Sequence, residues 1–330
     1  MVLVGIDADA AESVGMCPER LAQVQTLCHG YVDRGEKSFT QVLVARAGKV
    51  VLEDSYGMAD LATQTPVADD AIVRIYSMTK PITCVAALMC YEKNCFQLDD
   101  PVSKFLPEFA EMETFVGGTA AAPGLEPAAS PITIRHLFTH TSGIGAGTDP
   151  ALGKLQRALG KALPPPATPS LAEDVKRIAS MPLMAHPGTK WHYASGHTVL
   201  GRCIEVWSGI EYAEFLDKMI LGPLEMVDTG FSLDESKRDR FTKNYSYGAI
   251  PLEEAGFEGD YFNSEVVPGP SGGLAGTMRD YWKFCQCLLN NLKGQVRSSV
   301  TSRHTAAAAT AATASLTLCH CCMCVSQCIS

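Results

Sequence analysis

No apolar run in this chain reaches the ~18 to 20 residues needed to span a bilayer. Met1 to Met16 lacks the basic start and the long apolar segment of a secretory leader. Positive charge is also scarce. The formal net charge is -9 at pH 7, which leaves no basic face for phosphates and excludes a nucleic-acid partner from the expectation. These absences predict a soluble, cytoplasmic protein with neither membrane nor nucleic acid as partner, and they favour a small-molecule substrate. With 330 residues, 46% hydrophobic and 19% charged, there is material for one large core or two ordinary ones.

An evenly spread set of cysteines, the mark of a disulfide framework, is missing too. Of 13 cysteines, eight are scattered from Cys17 to Cys287 and five crowd into Cys319 to Cys328. The scattered ones read as reduced, partly buried thiols. Cys319, Cys321, Cys322 and Cys324 with His320 could take a soft metal, but no second paired-ligand cluster accompanies them. No metal or organic cofactor is therefore expected. The segment Asn244-Tyr245-Ser246 fits a glycosylation sequon, which in the absence of an export leader reads as an ordinary surface loop.

Along the chain, Pro18 to Asp33 carries Leu21, Val24, Leu27 and Tyr31 at helical spacing, and Thr40 to Leu52 reads as two strands around a Gly48 turn. A strand-like run from Ala71 to Tyr76 precedes the apolar run Ile82 to Tyr91. Leu98 to Pro101 marks a turn, and Ile132 to Phe138 a short helix stopped by Thr141-Ser142-Gly143. Gly117 to Pro131 and Leu163 to Ser170, rich in Gly, Ala and Pro, are expected to be mobile surface excursions. Helical periodicity returns between Val199 and Ile220 and again from Thr277 to Leu292. From Ser298 onward the chain is Ala, Thr, Ser and Cys, too poor in large apolar side chains to offset the entropy of ordering. One domain over 1–297 and a poorly packed tail over 298–330 follow.

Chemistry concentrates at Ser77-Met78-Thr79-Lys80. A serine and a lysine three positions apart at a helix start share one face, so the amine can reach the hydroxyl. The pattern alone is weak, with about one chance match expected in a chain of this length. A nucleophilic serine also needs donors for the oxyanion, and a helix N-terminus supplies one backbone N–H and a favourable dipole. Burial of Lys80 would penalise its charged form and make it a base. The plain alternatives are a helix N-cap for Ser77 and a solvated first-turn charge for Lys80. Downstream, Trp191-His192-Tyr193-Ala194-Ser195-Gly196 offers a tyrosine whose phenol a nearby lysine would make more acidic. Its alternative is a half-buried aromatic with a satisfied hydroxyl.

Arg74 to Thr83, Leu98 to Val102, Ile134 to Gly143 and Leu200-Gly201-Arg202 through Gly222-Pro223-Leu224-Glu225-Met226 to Thr229-Gly230-Phe231 together resemble the serine β-lactamase-related family. The likeness covers about Pro18 to Leu292 and is strongest to its class C-like, family VIII esterases and transacylases. It implies an α/β (α+β) fold of the β-lactamase/penicillin-binding-protein type: an antiparallel sheet flanked by helices, with an inserted helical subdomain over about 82–230. It also implies Ser77 as the acylated nucleophile, Lys80 as its base and Tyr193 as the proton-transfer tyrosine, with Tyr76, Trp191, Ser195, Gly272 and Gly273 facing a small-molecule acyl substrate. Ser195 stands where the Tyr-x-Asn motif has asparagine, which weakens the β-lactamase reading more than the acyl-transfer one. The Lys-Thr-Gly or His-x-Gly strand motif is absent after Leu292. The sheet is thus expected to hold its two N-terminal strands only, and the chain to be an impaired or incomplete enzyme, or a silent relative that only binds.

Other signals read more plainly. Gly269-Pro270-Ser271-Gly272-Gly273 fits a nucleophile-elbow pattern but lacks the aspartate and histidine that should follow, so a tight turn is expected. His136 and His140 read as a capping and packing pair, and His192 and His197 as surface residues. Trp191 is balanced between pocket wall and core.

Overall fold

The computed structural model describes residues 5–290 apart from 146–148, 164, 165, 167, 247, 249, 256–259 and 264. The tail expected over 298–330, its cysteine cluster included, lies outside the described residues, as does part of the Leu163–Ser170 excursion.

Two helices, α1 (Ala8–Ser13) and α2 (Pro18–Asp33), precede the hairpin β1 (Phe39–Arg46) and β2 (Lys49–Asp60). Proline opens α2 at a position where its missing N–H costs nothing. Ala47 and Gly48 both take positive φ, 52° and 80°. That is the backbone of a two-residue hairpin turn, whose twist matches the strands it joins. A third strand, β3 (Thr65–Pro66), adds to β2 and makes the sheet three-stranded in the order β1-β2-β3, one strand more than expected. Leu21, Val51, Leu52 and Ala11 fill the seam between the first helices and the sheet.

The chain then enters β4 (Ile72–Arg74) and, through a 3₁₀ turn at Tyr76–Met78, the helix α3 (Thr79–Glu92). Ile82, Val85, Ala86, Met89 and Cys90 are all buried, so α3 is enclosed on nearly every side. Gly117 to Pro131 is not a loose excursion. It forms the hairpin β5 (Glu113–Thr119) and β6 (Ala122–Pro127). Gly117 and Gly118 sit at φ 138° and 94°, a conformation side chains rarely adopt, and Phe115 N–H donates to Leu183 O at 2.8 Å.

The helices α4 (Ile134–Phe138), α5 (Pro150–Ala162) and α6 (Leu171–Ala179) follow. The span expected to be helical from Val199 to Ile220 divides into α7 (Gly196–Ser208), α8 (Tyr212–Leu216) and a π turn at Asp217–Leu221. The break falls at Gly209, which caps α7 in the left-handed region. Finally β7 (Ala275–Thr277) pairs antiparallel with β4, Ile72 opposite Thr277 and Arg74 opposite Ala275, and runs into α9 (Met278–Leu289). One large core joins Ile82 and Met89 of α3, Leu137 of α4, Leu200 and Ile204 of α7 and Phe284 of α9. The pairing of β4 with β7 is what sets the start of α3 beside the 269–273 turn.

Candidate active site

The site is built on the first turn of α3. Tyr76 has φ 41°, a left-handed conformation that is strained for an aromatic residue and that costs on the order of 1–3 kcal/mol where it is enforced. It is enforced by its surroundings. Ile75 N–H donates to Leu274 O at 3.0 Å, and Asn244 Nδ2 donates to Tyr76 OH at 2.7 Å. Asn244 thus serves the site's wall rather than an ordinary surface loop.

Lys80 is 9% exposed, so its amine needs partners in place of water. Lys80 Nζ donates to Ser77 Oγ at 3.0 Å and to Ser271 O at 2.6 Å, and it lies 4.5 Å from the centre of the Tyr193 ring. Sequence spacing therefore gave the serine–lysine contact, and the fold adds the tyrosine through the face of its ring, a cation–π approach.

The 269–273 segment is the tight turn expected, but it is also the clamp on α3. Thr83 Oγ1 donates to Pro270 O at 2.7 Å, and Leu274 N–H donates to Thr79 Oγ1 at 3.2 Å. Ser271 Oγ meets Thr198 Oγ1 of α7 at 2.8 Å. Thr79, Lys80 and Thr83 share one face of α3, so a stripe of polar residues on an otherwise apolar helix was the available signal for this clamp. Gly272 and Gly273 both donate their N–H groups to Gly269 O, at 3.0 and 2.7 Å. A Cβ on Gly273 would stand 2.8 Å from Gly269 N, and one on Gly272 would stand 3.4 Å from the Tyr76 carbonyl carbon. Their role here is to close the turn and to let it approach Tyr76 and Ser77. Beside them a cavity of about 260 Å³ is lined by Tyr76, Phe231, Tyr261, Val266, Val267 and Gly272 among others.

Trp191 is 51% exposed and Tyr193 46%, so neither is a core residue. Ser195 caps α7, its carbonyl accepting from Thr198 N–H at 2.9 Å. His136 forms a capping box with Thr133, as expected. His140 does not pack with it. It turns toward the site, its ring centre 4.7 Å from that of Tyr193 and 4.8 Å from that of His197. His197 is 1% exposed, which corrects its expected surface position, and its Nε2 lies 3.3 Å from Cys84 Sγ. Burial, then the Lys80 charge and His192, push the His140 imidazole down to about 4. Burial does the same to His197, with His140 and Lys80 adding to it. Both rings are neutral near pH 7.

Fold and site together define a mixed α/β protein that holds a buried lysine against a serine hydroxyl at a helix start. A sequence profile described as Beta-lactamase matches residues 29–318, and the chain belongs to that family. Esterase EstB of Burkholderia gladioli is 34% identical over 197 residues, 59% of this chain and 47% of EstB. Acyltransferase calJ of Penicillium decumbens is 30% identical over 222 residues, 66% of this chain and 52% of that protein. The chain thus spans about half the length of these two curated relatives. Among solved structures, EstCE1, a hydrolase with promiscuous acyltransferase activity, matches with a TM-score of 0.71 at 24% identity, over 88% of this chain and 76% of that one. No helix among the described residues is long and apolar enough to cross a membrane.

Proposed function

We propose that the protein is a serine hydrolase or acyltransferase for ester and related small-molecule acyl substrates, working through a covalent acyl-enzyme on Ser77. The observation that carries this is the 3.0 Å contact between Lys80 Nζ and Ser77 Oγ inside a buried setting. Ser77 Oγ attacks the acyl carbon while its proton passes along that contact to Lys80 Nζ, which acts as the base. The oxyanion is met by the Ser77 N–H at the positive end of α3. Collapse of the tetrahedral adduct expels the alcohol, which takes a proton from Lys80 or Tyr193. Water or a second acceptor then attacks the acyl carbon and frees Ser77. The cavity lined by Tyr76, Gly272 and Gly273 is the proposed seat of the acyl group, and Trp191 and Ser195, which flank Tyr193 in the chain, are proposed substrate contacts.

The similarity to an esterase and an acyltransferase supports this choice of chemistry. We also propose a cytoplasmic setting for it, since the scattered spacing from Cys17 to Cys287 is not that of a disulfide framework. We further propose a catalytic domain over 1–297, with 298–330 outside it.

Incubation with a fluorophosphonate and with p-nitrophenyl butyrate tests the proposal. Labelling at Ser77 and an ester-cleavage burst, both abolished in Ser77→Ala, are expected. In Lys80→Ala the rate should fall about 10²- to 10⁴-fold, the usual worth of a positioned proton-transfer group. An unlabelled wild-type chain would instead favour a relative that binds without turning over.

A further inference from the structure

The loop that brings Tyr193 over Lys80 has no regular structure of its own between residues 190 and 195, and nearly half of the tyrosine faces solvent. Its position therefore depends on what stands behind it, and four consecutive loop residues converge on one residue, three of them on its ring. His192 N–H donates to His140 O at 2.8 Å. Ala194 N–H donates to His140 Nδ1 over a long 3.4 Å. The Tyr193 ring lies against the imidazole with centres 4.7 Å apart, and Trp191 meets it edge-on at 6.1 Å.

We infer that His140 is the positioning residue for Tyr193: it fastens the loop on both sides of the tyrosine and backs the phenol ring, so that the ring stands over the Lys80 amine. This rests on the proposal that Tyr193 shares proton transfer with Lys80.

The chemistry of the imidazole suits the task. An Nδ1 that accepts from Ala194 N–H places the neutral ring's proton on Nε2. A protonated ring would lose that acceptor and set a second cation beside Lys80. Burial and the Lys80 charge oppose that protonation. The backbone of His140 sits at φ 56°, a region that histidine and asparagine tolerate better than most residues. This conformation follows α4 directly and turns the side chain toward the loop. Behind it the buried His197 blocks retreat of the ring.

Two variants and one cycle test the role. His140→Ala removes the ring and the acceptor, while His140→Asn keeps an acceptor oxygen close to the Nδ1 position in the same backbone conformation. With p-nitrophenyl butyrate, His140→Ala should lower kcat by up to about 10²-fold, the cost of misplacing a reacting group by ~1 Å, with KM little changed. His140→Asn should recover part of that loss. In a Tyr193→Phe background, His140→Ala should cause no further loss, since its effect passes through the tyrosine hydroxyl. A loss that multiplies with that of Tyr193→Phe would overturn the inference.

Amide hydrogen exchange supplies a readout that needs no turnover. Ala194 N–H should exchange faster in His140→Ala and regain protection in His140→Asn, while the amides of α7 stay protected in both. Unchanged exchange at Ala194 in His140→Ala, or an unprotected Ala194 in His140→Asn with α7 intact, would also overturn it. If wild-type protein leaves the ester untouched and Ser77 unlabelled, the proposed activity fails, and the exchange measurement still decides the placement of the loop.

Discussion

A histidine that is neutral because it is buried couples acidity to folding. His140 titrates at about 4 in the folded chain against an ordinary 6.5. Between those values the unfolded chain binds a proton that the folded chain refuses, so stability falls as pH drops from about 6.5 towards 4 and levels off below. At roughly 1.4 kcal/mol per pH unit, the window amounts to about 3 kcal/mol. His197 is displaced in the same direction and adds to the slope. Urea midpoints taken between pH 7.5 and 4.5 should decline accordingly, and His140→Asn should flatten the decline. An identical slope in that variant would mean that other groups set it. Neither histidine was recognisable from its neighbours in sequence, because what distinguishes them is enclosure by Tyr193, Trp191 and each other.

Between elements, α7 approaches the 269–273 turn closely. A Cβ on Gly201 would stand 2.3 Å from Pro270 Cγ and 2.7 Å from its Cβ. In an exposed helix, Gly→Ala adds about 1 kcal/mol of stability. Here the overpacking, typically 1–3 kcal/mol, outweighs it. Gly201→Ala should therefore lower the melting temperature, and by shifting the turn that carries Ser271 O it should also slow Ser77 labelling. A melting temperature above that of the parent would show that Pro270 yields freely.

The elements themselves were legible to different degrees. The proline-opened α2, the hairpin around Gly48 and α9 declare themselves through local periodicity and turn chemistry. The β5–β6 hairpin did not, since Gly117, Gly118, Pro123 and Gly124 disguise its strands and its anchor is Leu183, far along the chain. Signals for α5 and α6 do stand in the sequence. Asp149 caps α5 ahead of Pro150, and Ser170 accepts from Glu173 N–H at the start of α6.

Across the molecule, the principal core runs without interruption from α3 through α7 to α9, and β4 and β7 join segments about two hundred residues apart. Helical part and sheet part should accordingly unfold together. Fluorescence from Trp207, stacked on Phe96 in the helical part, and from Trp282 in α9, should trace the same urea transition as far-UV circular dichroism. Separate midpoints would mean that the helices between β4 and β7 form an independent folding unit.

The pairing of Ser77 with Lys80 was readable from the chain because it is local: two residues three apart on a helix must share a face, whatever surrounds them. The family likeness was readable for a related reason, since its motifs are short and contiguous. The Ser271 carbonyl on Lys80, 191 residues from it, the Tyr193 ring above the amine and His140 behind that ring follow from no local rule. Chain segments remote in sequence meet there because burying α3 and pairing β4 with β7 leave them nowhere else to go, and that is a property of the packed molecule.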